Sequence, residues 1–170
     1  MGDMTGKIAR KYMAHFIDSS FGSDLTAATW YRLGEDLEEF KVDMNADTEV
    51  KKNILGNTTF NHSGYQPSAE SDPFYARVGD ALFEKLQTIV DTQATDDTCK
   101  TESLEVHLWE KASGSDTTEA YVAYVQDCYV VPTSYGGDTS GYQIPFTVSY
   151  VGEKTKGTFD PKTKKFTAAA

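Results

Sequence analysis

The segment 43–47, Asp-Met-Asn-Ala-Asp, places oxygen-bearing side chains at alternate positions. Carboxylate and amide oxygens in this order are typical of the first half of a calcium-binding loop. Such a loop also requires glycine at its sixth position and glutamate at its twelfth, where this sequence has Thr48 and Ile54. The segment therefore predicts the polar tip of a hairpin rather than a calcium site.

Side chains that could act as nucleophiles, bases or metal ligands are scattered along the chain: His15, His62, His107, Cys99 and Cys128. None has the spacing of a metal site, and the G-x-S-x-G motif of a hydrolase serine is missing. Acidic pairs such as Glu35 with Asp36 could act in acid–base catalysis, but one sequence does not place them in a pocket. The sequence therefore predicts no enzymatic activity, no cofactor and no metal.

Charge is distributed unevenly along the 170 residues, which carry 26 acidic and 16 basic side chains and a net charge of −10. Residues 21–150 hold eight basic and 22 acidic side chains, a net charge of −14, whereas 151–170 are basic. This excess disfavours a site that neutralises nucleic-acid phosphates, since such a site needs lysine and arginine. The charge fits either simple solubility or a surface that repels a polyanion.

Composition and periodicity favour strands over helices. The chain contains 9 Phe, 10 Tyr and 2 Trp, too many aromatic residues for a typical disordered chain. Apolar and polar residues alternate at period two, which predicts strands. These lie over 37–44, 103–110, 119–131 (with a bulge near Gln126-Asp127), 144–150, and a hairpin of 155–160 with 164–167.

One helix is predicted over 73–91. Asp72 supplies an N-cap and Pro73 the first helical position. Apolar residues then recur at steps of three and four, which marks one buried face. They are Tyr75, Val78, Leu82, Leu86 and Ile89.

Together these elements predict one domain spanning 1–170, mainly β: an antiparallel β-sandwich or open barrel with one flanking α-helix. Residues 1–28 are assigned to an N-terminal arm or loop. No apolar run reaches 18 residues and the N-terminus lacks the apolar core of a signal peptide, so we expect neither a membrane span nor export.

Several phrases, taken in order, carry a resemblance to one family: 29–40 (TWYRLGEDLEEF), 51–56 (KKNILG), 72–75 (DPFY), 79–86 (GDALFEKL), 106–110 (VHLWE), 135–146 (YGGDTSGYQIPF) and 156–160 (KGTFD). The chain resembles the tail tube, or major tail, proteins of long-tailed bacteriophages, most closely those with flexible, non-contractile tails. The resemblance covers about 28–168.

The resemblance implies a non-enzymatic virion protein, assembled in the cytoplasm of the host bacterium. Such subunits form hexameric rings, and the rings stack into a tube through which DNA leaves the capsid. The implied partners are further copies of the chain, the tape-measure protein, and the tail terminator and distal tail proteins. DNA passes without specific binding, and no membrane is involved.

On this hypothesis, residues 35–54 form an inner hairpin whose tip near 45–48 reaches the next ring. The candidate lumen-facing acids are Asp36, Glu38, Asp43 and Glu49, and the candidate contacts between rings are Asn45, Ala46, Asp47 and Thr48. Alternatives are the tube of a contractile tail or type VI-like injection system, and a ligand-binding β-sandwich that uses Tyr65 and residues 134–142. An enzyme is the third alternative.

Overall fold

The computed structural model describes residues 5–112 and 119–169. The strands are β1 (Met13–Asp18), β2 (Trp30–Leu33), β3 (Val42–Asp43), β4 (Ala46–Lys52), β5 (Thr58–Tyr65), β6 (Ser68–Ser71), β7 (Lys100–Lys111), β8 (Tyr121–Pro132), β9 (Gly136–Asp138), β10 (Gly141–Gln143), β11 (Phe146–Asp160) and β12 (Lys165–Ala168). The helix α1 is Ala81–Thr92, and short 3-10 turns cover Arg10–Tyr12, Leu25–Ala27 and Asp96–Cys99.

The main sheet is antiparallel throughout, in the order β2-β1-β7-β8-β11-β6-β3. Strand β11 is shared: its first part pairs with β6 and its last part with β12. Strands β4 and β5 form a separate ribbon, as do β9 and β10. This mainly β, antiparallel arrangement with a single α-helix in the described residues confirms the predicted fold class.

Apolar side chains pack on both faces of the sheet because its strands alternate between two cores. Phe16 lies in one core with residues of β7, β8 and β11, whereas its neighbour Ile17 lies in the other, beneath α1. The Phe16 and Phe159 ring centroids are 5.1 Å apart, although β7 and β8 separate their strands in the sheet. The sheet must therefore curl around the first core, as an open barrel does.

The helix begins later than predicted, at Ala81 rather than at Pro73. Gly79 has φ +89°, outside the helical region, and the Asp80 carboxylate accepts hydrogen bonds from the amides of Leu82 and Phe83. The buried face therefore consists of Leu82, Leu86 and Ile89. The earlier members of the predicted stripe are not helical, and Val78 is fully exposed.

The predicted strand over 37–44 is also wrong for most of its length, because only Val42–Asp43 pairs with a neighbour. The irregularity predicted near Gln126 lies in the partner strand. Between Val151 and Thr155, β11 carries extra residues opposite Gln126, whose Nε2 donates to the Gly152 carbonyl at 3.0 Å. The predicted C-terminal hairpin is confirmed as β11–β12.

The assignment of residues 1–28 to an arm or loop is wrong for β1. This strand pairs with β2 on one side and β7 on the other, and five of its six residues are buried. Its sequence, MAHFID, does not predict a strand by alternation, because a strand buried on both faces does not alternate between apolar and polar residues.

Candidate subunit-interaction surface

The β4–β5 ribbon projects from the sheet as a hairpin. The chain leaves the sheet at β3 and returns to it at β6, and between them β4 and β5 pair only with each other. The turn lies at 53–57, where the Asn53 amide donates to the Asn57 carbonyl and the Asn53 side-chain oxygen accepts from the Leu55 and Asn57 amides. Gly56 supplies the left-handed residue, with φ +83°.

One cross-strand pair and the turn of this hairpin are apolar and open to solvent. Val50 pairs with Phe60, and both side chains are about two-thirds exposed. At the turn, Ile54 is fully exposed and Leu55 is 80% exposed. The face opposite this pair is polar, and there Glu49 forms a surface ion pair with Lys51 at 3.4 Å. A ribbon of two strands is only marginally stable alone, so covering the pair and the turn would stabilise it.

The four candidate inter-ring residues lie at the base of the hairpin, not at its tip. Ala46 pairs with Tyr65 and Asp47 with Gly64, next to the sheet. Asn45 has φ +47°, and its amide nitrogen donates to the Gln66 carbonyl and to the Ser68 hydroxyl, each at 3.0 Å. The predicted tip at 45–48 is therefore wrong, since Asn45 forms the bend from which the hairpin leaves the sheet.

The four candidate lumen acids are exposed and dispersed. Asp36 forms an ion pair with Arg77. Glu38 lines a cleft together with Arg10, Arg32 and other residues of the 34–40 loop. Asp43 ends β3, and Glu49 lies on the polar face of the hairpin. No group of three or more of these carboxylates forms among the described residues.

The residues considered for chemistry are equally dispersed. His15 is buried against the Phe40 ring, and burial lowers its pKa to about 4. His107 stacks on Trp109, with 4.4 Å between ring centroids, whereas His62 lies on the projecting hairpin. Within residues 5–112 and 119–169, no three His, Cys, Asp or Glu side chains are grouped to hold a metal ion. No helix in that part of the chain is long and apolar enough to cross a membrane.

The two loops of the ligand-binding alternative have different surroundings. The Tyr142 hydroxyl donates to the Gln87 side chain on α1 at 2.8 Å, and its ring packs against Phe83. Tyr65 instead contacts His62 on the hairpin, with 4.6 Å between ring centroids. The structure therefore does not unite these aromatic residues in one binding face.

Two carboxyls, one fully buried and one partly buried, escape the sequence-based predictions. Asp18 is fully buried, and its Oδ1 accepts from the Ser20 amide, the Ser20 hydroxyl and the Thr29 amide at 2.9, 2.6 and 3.0 Å. Its Oδ2 and the Glu102 Oε2 are buried without a partner among the described residues. Desolvation, reinforced by the charges of Asp127 and Asp18, raises the pKa of Glu102 to about 7. The Asp-Ser-Ser sequence at 18–20, which favours a local side-chain turn, is the only signal for Asp18.

Substituting Glu102 with glutamine should stabilise the protein at alkaline pH. Folding raises the pKa of this carboxyl from 4.5 to about 7, so its contribution to stability is present below the lower value and is lost as pH rises through the higher one. Because the side chain keeps some solvent contact, we expect E102Q to gain about 1 kcal/mol near pH 8 and nothing near pH 4. Urea unfolding at both pH values measures this difference.

The control is Glu153→Gln, which changes an exposed carboxyl on β11 and should shift neither value. An equal effect of E102Q at both pH values would contradict a raised pKa at Glu102.

Comparisons with known proteins leave the family open. The sequence matches no protein-family model and no curated protein. Among solved structures, the chain is similar to the cap of the anti-feeding prophage, described as its tube terminating cap, with a TM-score of 0.46 and 11% sequence identity. The match covers 91% of this chain and 93% of that one. A likeness of this size does not establish a shared function.

Proposed function

We propose that this protein is the structural subunit of a phage tail tube, which forms hexameric rings that stack into a conduit for DNA. The observation that carries the proposal is the β4–β5 hairpin, which projects from the sheet with an exposed Val50–Phe60 pair and an exposed apolar turn. A monomer gains nothing from such a feature, whereas a polymer can bury it against a neighbour.

The sheet edges support assembly in a second way. Strands β2, β3 and β12 each have one side that pairs with no other described strand. Open edges invite pairing with another chain, and closing a ring of subunits would satisfy them. A subunit that completes its sheets against neighbours also needs less core of its own, which fits the low content of Leu, Ile, Val and Phe, 33 of 170 residues.

The sequence supports the more specific part of the proposal. The resemblance to tail tube proteins is the ground for the hexamer, for the passage of DNA, for location in the virion and for the tape-measure, terminator and distal tail partners. A conduit for DNA should not bind phosphates, and the net charge of −14 over residues 21–150 suits that task. We propose that Asp36, Glu38, Asp43 and Glu49 face the lumen, and that Asn45, Ala46, Asp47 and Thr48 lie near the contact between rings.

Electron microscopy of the purified, concentrated protein tests the function. We expect rings of six subunits and stacks of such rings, with a central channel. The proposal would be overturned if the protein stays monomeric at high concentration and the particle from which it comes contains no tube. In a reconstruction of the tube, the four acids should line the channel; if most of them lie on the outer wall, the lumen assignment is wrong.

A further inference from the structure

We propose that the hairpin turn of one copy inserts into an apolar cleft of a second copy. The inserted residues are Ile54 and Leu55, and the cleft lies between the C-terminal end of α1 and the end of β8. This inference rests on the proposed stacking of subunits and identifies the two surfaces that meet.

The cleft offers an apolar socket of about 540 Å³. Ile89, Val90 and Ala94 line it from the helix side, and Val131 and Tyr135 line it from the strand side. Val131 is 46% exposed and Tyr135 is 67% exposed, so the socket is open in the isolated subunit. Its volume is within the range of sites that bury a small apolar ligand.

Strand register separates the start of the hairpin from the cleft by three residues along β11. On β11, Phe146 pairs with Pro132 of β8 and Ser71 of β6, and this is the end at which the cleft lies. Three residues further along β11, Ser149 pairs with Ser68, where the chain passes to the hairpin. The chain therefore joins the hairpin to β6 at Ser68, the end of β6 that lies away from the cleft. A surface that fits a different surface of the next copy makes a head-to-tail contact, which propagates as a filament.

Charge is complementary across the proposed contact. Lys51 and Lys52 end β4 just before the turn, and Lys52 forms no ion pair with any described residue. The other side carries Asp91 in the last turn of α1, together with Asp96 and Asp97 in the following 3-10 turn. The helix C-terminus adds a partial negative charge, which favours cations at this end.

The chain length limits the spacing of stacked copies. Residues 55–71 run from the inserted turn back to the cleft end of β6, and these 17 positions span at most roughly 56 Å at about 3.3 Å per residue. The axial repeat of the tube should not exceed this length, because the turn of one copy must reach the socket of the next.

Cysteine cross-linking in assembled tubes tests the contact directly. Both native cysteines are buried, so the background is low. The full chain carrying Leu55→Cys and Tyr135→Cys should, on mild oxidation, form disulfide-linked ladders of many subunits. The control pair, Leu55→Cys with Val151→Cys, keeps the same turn cysteine but moves the second one five residues along β11 from Phe146, at the cleft end. We expect no ladder from the control pair or from either single variant.

A second measurement uses matched valine variants. Val131→Asp places a charge in the socket and should raise the critical concentration for tube formation at least about tenfold. Val151→Asp, at a similarly exposed strand position, should leave it unchanged. The proposed insertion of the turn into the cleft would be wrong if the wild type forms tubes but the first cysteine pair gives no ladder. It would also be wrong if V131D assembles normally. Either result would leave the proposed function intact. Wild-type protein that forms no tubes would instead overturn the proposed function, and the socket with it.

Discussion

Replacing Ile54 and Leu55 together with serine should abolish tube formation and leave the subunit as stable as before. Both side chains are almost wholly exposed in the isolated chain, so their removal takes little from the folded monomer. In the proposed contact they become buried, and burying one such side chain contributes about 1.5–3 kcal/mol. Loss of two should therefore raise the critical concentration for assembly by about 100-fold or more. Pelleting assays across a concentration series measure this, and thermal unfolding tests the monomer.

The matched control is Val78→Ser, which removes another fully exposed apolar side chain, from the loop before α1. This variant should assemble like the wild type. Undiminished assembly of the double variant, or a large fall in its melting temperature, would show that the turn does something other than contact a neighbour.

Replacing Gly157 with alanine should destabilise the subunit by about 2–3 kcal/mol, since a tightly packed site cannot accept an added methyl group without moving its neighbours. Gly157 lies on β11 opposite β12, and an added Cβ would overlap the Thr167 carbonyl oxygen and the Phe166 ring. The overlap involves backbone, so β12 must shift. The melting temperature should fall by roughly 5–10 °C for a chain of this size.

Gly22→Ala is the control for that experiment. Gly22 is exposed, has no positive φ, and its added Cβ would lie 3.4 Å from the Ser20 hydroxyl oxygen. We expect a change within about 0.5 kcal/mol, as for most surface substitutions. If the two substitutions lower the free energy of unfolding by the same amount, close packing of Phe166 over Gly157 does not contribute to stability.

Sequence periodicity predicts the parts of this fold that have one buried and one open side. The alternating residues of β11 and the Leu82, Leu86 and Ile89 stripe of α1 are such cases. Periodicity does not predict a strand whose two faces are both buried. Strand β1 carries no polar face, so its sequence shows no alternation that would predict a strand. Glu105 is also buried, because its carboxylate meets Lys154 of β11 at 2.8 Å, a contact that no local pattern reveals.

In the hairpin, the sequence correctly predicts a turn near Asn45 but assigns it to the wrong position in the fold. Asn45 does adopt the left-handed conformation that its residue type favours in turns. It bends the chain where β3 passes into β4, whereas the strands reverse at Asn53 and Gly56. Only pairing of β4 with β5 distinguishes these two sites, and pairing is a long-range property. The candidate acids and contact residues derived from the hairpin therefore stay predictions.

The attachment of the hairpin has a mechanical consequence. Its two strands follow β3 and precede β6 in the chain, with a bend at Asn45, and β6 pairs with β11 through four consecutive residues, Ser68–Ser71. Hydrogen bonds between antiparallel strands are perpendicular to the strand axis, so a pull along β6 loads all of them in shear rather than opening them one at a time. Tension applied at the turn would pass through β6 into β11, the longest strand, and from there into β8. In a filament assembled through this hairpin, each contact between subunits would therefore resist tension along the filament axis.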